Sequence, residues 1–274
     1  MSDPVFATPR AVADVTDCVF YHTMDLPGIG EVRGQFDLRG RERDYLGHVD
    51  LGGKRVLEVG PASGHLSLYM ERQGAEVVSC DLSRDVPWDF VPFARVDHGA
   101  MLESVRHGID RINNSYWLAH RLHRSKNQVV YSSVYNIPDS IGLFDIGTLS
   151  STLLHMENPV RAIESVSRRV RETMVITEVL GYRNFLSYQV MRWFKPSVWF
   201  LPDARKLHRW NGELTPDLIQ GCMIWWALTP EVVRRVLGVV GFERTTVRYH
   251  RQVYMGRKVL YYTIVGHRTV PLRS

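Results

Sequence analysis

Between residues 54 and 83 the hydrophobic pattern changes period twice. The stretch 54–60, KRVLEVG, is a short apolar run that stops at a glycine, the pattern of a strand buried on both faces. HLSLYMERQG follows, with Leu66, Leu68, Tyr69 and Met70 on one helical face and Gly74 as a stop signal. AEVVSCDLS then returns to a strand pattern that ends at Asp81. Strand, glycine loop, helix and strand in this succession form a βαβ unit, which implies a parallel sheet with a right-handed crossover.

The alternation continues to the end of the chain. Residues 99–126 predict two helical stretches, 128–135 a strand and 144–153 another. An amphipathic helix is expected over 159–170 after Pro159, and a fifth strand over 173–180. Residues 229–241 predict a helix with Thr229 as N-cap, Pro230 in its first turn and Gly241 closing it. Residues 243–254 and 258–268 alternate as the arms of a hairpin around Met255-Gly256-Arg257. The expected fold is α/β: a doubly wound, seven-stranded, Rossmann-like sheet with an antiparallel last strand. Residues 1–50 make an N-terminal helical cap segment and 51–180 the core. Residues 181–227 form an aromatic-rich lid insertion, and 228–274 complete the core with a helix and a β-hairpin.

Composition narrows the class. With 274 residues, 45% hydrophobic and 23% charged, the chain is neither disordered, collagen-like nor a coiled coil. No uncharged apolar run reaches bilayer length, and the N-terminus lacks the basic and apolar regions of a secretory signal, so a cytoplasmic setting without membrane contact is expected. Cys18, Cys80 and Cys222 are odd in number and far apart, and no C-x-x-C or H-E-x-x-H occurs, so neither a disulfide framework nor a metal is expected. The net charge of +5 hides an asymmetry, because residues 181–274 hold 15 Lys/Arg against 5 Asp/Glu, a net +10. A basic third suits nucleic acid, an acidic substrate or simply a solvated face.

The loop after the first core strand carries the chemistry. From Gly60 it reads Gly-Pro-Ala-Ser-Gly-His, neither the dinucleotide fingerprint nor a Walker A loop, and Glu58 precedes it. In an open parallel sheet, ligands bind beyond the carboxyl ends of the strands at the topological switch point. Glu58, Gly60 and Gly64 resemble the first motif of class I S-adenosylmethionine-dependent methyltransferases, an acidic residue followed by Gly-x-Gly-x-Gly. Ala62 stands for the central glycine, and Pro61 stiffens the turn. Asp81, 21 residues after Gly60, matches the acid that takes the ribose hydroxyls in that family, a role suited to an acceptor-only carboxylate.

The resemblance implies S-adenosyl-L-methionine as cofactor. It places the adenine near Leu82 and near Ser133, Val134 and Tyr135, where a serine stands in for the family's acid. Leu149 and Ser150 would complete the donor site. Residues 36–83, 148–166 and 225–242 further resemble a methyltransferase subgroup related to the tRNA wobble-uridine 5-oxyacetate methyl and carboxymethyl transferases. That subgroup also holds enzymes acting on sugars and secondary metabolites.

Methyl transfer needs an oriented acceptor and, for a hydroxyl, removal of its proton. His155, in the segment after the strand at 144–153, is the first candidate base, because imidazole titrates near neutrality. Glu178, at the end of the fifth strand, and His22, in the N-terminal segment, are the other catalytic candidates. Substrate contacts are expected from Tyr21, Thr152, Tyr182, Tyr188, Trp193, Trp225 and Trp226. Five of the seven tryptophans fall in 181–227, interleaved with Arg and Lys, as in a ligand lid or a site for unpaired nucleotides. Burial of these rings against one another is the plain alternative.

Three functions follow as expectations. The first is O-methylation of a small-molecule acceptor, a sugar or secondary metabolite. The second is tRNA wobble-uridine modification, and the third a catalytically silent cofactor-binding partner subunit. A monomer or homodimer is expected.

Overall fold

The computed structural model describes residues 5–180, 186, 198–203 and 221–271. In chain order its strands are β1 (Met24–Leu26), β2 (Gly30–Val32), β3 (Phe36–Asp37), β4 (Arg55–Val59), β5 (Glu76–Asp81), β6 (Gln128–Tyr131), β7 (Phe144–Ser150), β8 (Val170–Val179), β9 (Val198–Phe200), β10 (Trp226–Leu228), β11 (Arg244–Tyr254) and β12 (Arg257–His267). Its α-helices are α1 (Glu42–Tyr45), α2 (His65–Arg72), α3 (His98–Leu122), α4 (Pro159–Ser167) and α5 (Pro230–Val239). Among the described residues no helix is long and apolar enough to cross a membrane.

The main sheet has the order β3-β11-β12-β8-β7-β4-β5-β6. Strands β6, β5, β4, β7 and β8 run parallel, and the last strand, β12, runs antiparallel to both of its neighbours. Val56, Leu57 and Val59 of β4, Val78 and Cys80 of β5 and Leu149 of β7 are buried between the two helical layers. That double burial is why these strands read as continuous apolar runs. The chain turns outward in opposite directions from β4 at this point in the sheet, which makes the β4/β7 boundary the switch point.

Three local expectations change. Residues 98–122 form one helix through Gly108 rather than two. Asp97 caps it by accepting from Gly99 N and Ala100 N, and a buried face from Met101 to Ala119 outweighs the roughly 1 kcal/mol cost of an interior glycine. The strand expected over 128–135 stops at Tyr131, because Ser133 caps a short 3-10 turn, Val134–Asn136.

The N-terminal segment is mostly not helical. Apart from a 3-10 turn (Val15–Asp17) and the single turn α1, it forms the small β1/β2 hairpin and then β3, an eighth strand of the main sheet. Its elements are two to four residues long, too short to show a period. They are fixed by contacts instead: Arg39 pairs with Asp25, Glu31 and Asp37, Tyr21 stacks on Phe36, and Tyr254 packs tilted against the same ring.

Candidate functional site

Strand register assembles the site. Val59 pairs with Cys80 on one side and Leu149 on the other, so Gly60, Asp81 and Ser150 leave the sheet side by side. One strand further out, Asp81 pairs with Tyr131, and Ser150 pairs with Thr177. Adjacent strands are about 4.8 Å apart, so residues separated by 21 and 90 positions in sequence become neighbours on one edge.

The glycine loop is built on left-handed backbone. Gly60 has φ +73°, and its N–H donates to Cys80 O at 2.9 Å. A Cβ there would lie 2.6 Å from Thr152 Cγ2, and one on Gly64 (φ +81°) would lie 2.8 Å from the ring of Tyr116. Both glycines are therefore required by the protein's own packing. Ala62, at φ +49°, carries a side chain in the same sparsely populated region, a cost of roughly 1–3 kcal/mol that clusters at functional turns. Pro61 O accepts from Gly64 N at 2.8 Å and closes the turn.

Beneath the loop lies Glu58, 1% exposed, accepting hydrogen bonds from the hydroxyls of Ser67 and Ser79. Burial pushes its carboxyl up to about 7, against those two hydrogen bonds. Asp81 is also held up to about 7. Burial is the main cause, the Leu82 N–H on Oδ1 at 2.8 Å opposes it, and the charge of Glu58 adds to it. Leu82 is itself anchored, its carbonyl accepting from Asn113 Nδ2 on α3.

Ten described residues line a small recess at the switch point. Glu58, Gly60, Pro61 and Leu66 form one wall, Ser150 and Ser151 another, and Tyr21, His22, Phe36 and Tyr45 a roof from the N-terminal segment. The roof is tied to the loop, since Tyr21 N donates to Ser63 Oγ at 2.6 Å. Ser151 is held at φ +55° with its Oγ 2.7 Å from Tyr45 Oη. His22 is 8% exposed, and its Nδ1 has no hydrogen-bond partner. Burial, and secondarily His65, lowers its pKa to about 3, so the ring is neutral.

The other expected residues take varied places. Leu149 and Val134 point into the main core, so only their backbone faces the edge. Ser133 Oγ accepts from Tyr135 N, and the Tyr135 hydroxyl donates to Asp89 while Asn158 N donates back to it. Thr152 sets its methyl against Gly60 and buries Oγ1 without a partner.

Glu178, 3% exposed, accepts from Leu153 N at 2.8 Å; burial raises it to about 8 despite that hydrogen bond. It thereby caps the 3-10 turn Leu153–His155. His155 is outside the lining of the recess. Its Nδ1 lies 2.7 Å from Met223 O, and burial lowers its pKa while that hydrogen bond raises it. Trp225 and Trp226 spend their indole N–H groups on Asp89 O and on Met156 O and Glu157 O, pinning β10 to the core rather than lining the recess. Tyr182, Tyr188 and Trp193 lie outside the described residues.

Sequence reasoning placed Ser151 beside Thr152 as lining of the donor site, and Ser151 does line the recess, but it missed Phe36, Tyr45 and Ser63. The only sequence signal of those three was aromatics just ahead of the first core strand and a hydroxyl inside the glycine loop.

A family profile described as "Methyltransferase domain" matches residues 33–225. The chain belongs to that family. No curated protein matches the sequence. Among solved structures, the methyltransferase-domain chain is similar to the N-terminal domain of EvdMO1 with S-adenosylhomocysteine and D-fucose, at 15% identity and TM-score 0.50, covering 93% of this chain and 92% of that one. The same domain with S-adenosylhomocysteine alone gives 16% identity, TM-score 0.50 and the same coverage. Magnesium protoporphyrin IX methyltransferase from Synechocystis PCC 6803 is similar at 13% identity and TM-score 0.46, over 83% of this chain and 80% of that one. At such identities the likeness concerns the fold.

Proposed function

We propose that the chain is an S-adenosylmethionine-dependent methyltransferase acting on a hydroxyl of a small-molecule acceptor, a sugar or secondary metabolite. The observation that carries this is the shared edge of Gly60, Asp81 and Ser150 beside the recess. Asp81 fits the donor chemically. Its carboxylate has one neighbouring N–H and is otherwise held up toward neutrality by burial, an acceptor that the two ribose hydroxyls would satisfy. Glu58 and the Gly60–Gly64 turn would hold the amino-acid end, with Leu82 and residues 133–135 beside the adenine. When bound, the cofactor supplies an electrophilic methyl group on a sulfonium.

The remaining task is proton removal from the acceptor. By its charge state His155 suits it better than His22, although of the two only His22 lines the recess. A hydrogen bond to Met223 O fixes the Nδ1–H tautomer and supports the imidazolium, leaving the Nε2 lone pair as acceptor. His22 has no such support, and the neighbouring His65 opposes its charge. Glu178 acts as a positioning residue, since its carboxylate holds the start of the turn that ends at His155.

The test is calorimetry with S-adenosylhomocysteine, followed by label transfer from S-adenosylmethionine into metabolite fractions. A folded protein that binds neither donor nor product overturns the assignment. Loss of transfer after ribonuclease treatment replaces the small molecule with RNA. His155→Ala should keep product affinity and lower the rate about 10²–10⁴-fold.

A further inference from the structure

The site above makes no use of the basic end of the chain. Residues 244–274 hold seven Lys/Arg and no Asp/Glu, and five of those cations sit on the hairpin β11/β12. Arg244, Arg248, Arg251, Arg257 and Lys258 are exposed, and none forms an ion pair among the described residues. The acids just before them are engaged elsewhere. Glu231 is shared between Arg234 and Arg235, and Glu243 accepts from Thr269 Oγ1.

These charges flank an open sheet edge. β11 pairs with β12 along its whole length without a bulge, but on its outer side β3 covers only Val253 and Tyr254. Met255 N donates to Gln35 O there, and Arg41 Nη1 donates to Arg251 O, so the backbone groups of odd-numbered residues face outward. Those of Thr245 and Val247 meet no strand among the described residues. Residues 244–248, RTTVR, contain no Pro, Gly or acid, and their β-branched centre suits strand pairing. Sheet edges are guarded by shortness, bulges, proline or charge. Here the guard is charge of one sign. Pairing this edge with a second copy about Thr246 sets Arg244 against Arg248, and about Arg248 sets that residue against itself, which like charges oppose.

We propose that the outer edge of β11 over Arg244–Arg248 takes an extended acidic segment of a partner protein as an added strand. Side chains alternate along a strand, so Arg244, Thr246 and Arg248 share one face. The segment that fits carries two carboxylates four residues apart, one opposite each arginine, and bonds through its backbone to Thr245 and Val247. Cross-strand pairs of opposite charge stabilise it, and Arg251, Arg257 and Lys258 add longer-range attraction.

The experiment is fluorescence anisotropy on the full chain with labelled eight-residue Thr/Val peptides. One carries glutamates at its second and sixth positions, and a second carries lysines there. A third carries glutamates at its second and fifth positions, on opposite faces. The first should bind at least about tenfold more tightly than the second and about threefold more tightly than the third. Hydrogen exchange should find the Thr245 and Val247 amides unprotected in the free chain and protected by the first peptide. Arg248→Glu should bring the first two peptides within about threefold of each other. Thr245→Pro removes one outward N–H and no charge, and should weaken the first peptide at least about tenfold. Equal binding of the first and third peptides would reduce the edge to a charged surface and overturn the added strand. Slow exchange of both amides in the free chain would show the edge already covered and overturn it as well, as would no binding by any peptide. Should Thr245→Pro not fold, the exchange and the peptide comparison decide.

Discussion

The two walls of the recess are built by opposite means. On the core side, the β4–α2–β5 unit reads as three periodic blocks, and each folds where its pattern puts it. On the roof side, residues 19–46 contribute strands of two or three residues and one helical turn, held by contacts to distant residues. Val19 N bonds to Arg111 O, Tyr21 N to Ser63 Oγ, and Phe36 packs tilted against Tyr254. The difference shows how a site can divide its duties. The periodic wall holds the glycine loop in place, and the stitched wall closes over it.

The largest expected effect breaks the core wall. Gly60→Val places a branched side chain on left-handed backbone with Thr152 Cγ2 only 2.6 Å from its Cβ. The loop must move, and S-adenosylhomocysteine binding should become undetectable by calorimetry in whatever fraction still folds. Asp81→Ala leaves the wall standing and removes one contact. Affinity should fall by roughly 2–3 kcal/mol, the worth of charge-assisted hydrogen bonds, with the circular dichroism spectrum unchanged.

Cutting the stitch between the walls comes next. Ser63→Ala leaves the Tyr21 N–H without its acceptor, and unfolding in urea should show a loss of about 1–3 kcal/mol. Acceptor KM should rise more than product affinity changes.

A pH series sharpens the comparison further. Glu178 has a folded pKa near 8, well above its unfolded value, so the folded protein holds more protons between about pH 4 and 8. Its destabilising cost is absent at low pH and grows as pH rises through that window. His22, lowered to about 3, acts the other way, and stability from that group rises from about pH 3 to 6.5. Glu178→Gln keeps an oxygen for Leu153 N and loses the titration. Its Tm should gain on wild type steadily from pH 5 to about 8.5, the span of that titration. A constant offset between the two curves would mean that Glu178 is not held up.

The smallest effect belongs to the outer roof. Arg39→Ala removes three ion pairs whose partners are 34% to 68% exposed, and stability should change by less than about 1 kcal/mol.

How much was legible follows the same division. KRVLEVG, AEVVSCDLS and TPEVVRRVLGVVG each carried a period long enough to name the element, and the helix starting at Pro230 and the hairpin β11/β12 formed as their patterns require. Gly60, Gly64 and Asp81 were readable because a turn demands special backbone and a strand end demands a reason for its acid. Residues 99–126, expected as two helical stretches, fold as one through Gly108, because the burial that holds α3 together comes from tertiary contacts that no local pattern shows. Trp225 and Trp226 direct their indole N–H groups to backbone carbonyls, a placement that no pattern signalled. An indole in a sequence does not reveal whether its N–H will meet a ligand or a backbone carbonyl.

By itself the sequence determined the α/β class, the strand–helix order and the loop that makes the switch point, because these depend on period, turn chemistry and short-range sterics. Only the tertiary structure decided that Tyr21, His22, Phe36 and Tyr45 close over that loop and that His155 bonds to Met223 O. It also decided that Glu178 spends its carboxylate on a turn 25 residues away in sequence. Each of those contacts joins segments with no shared period, and strand register, not local preference, sets the distance between them.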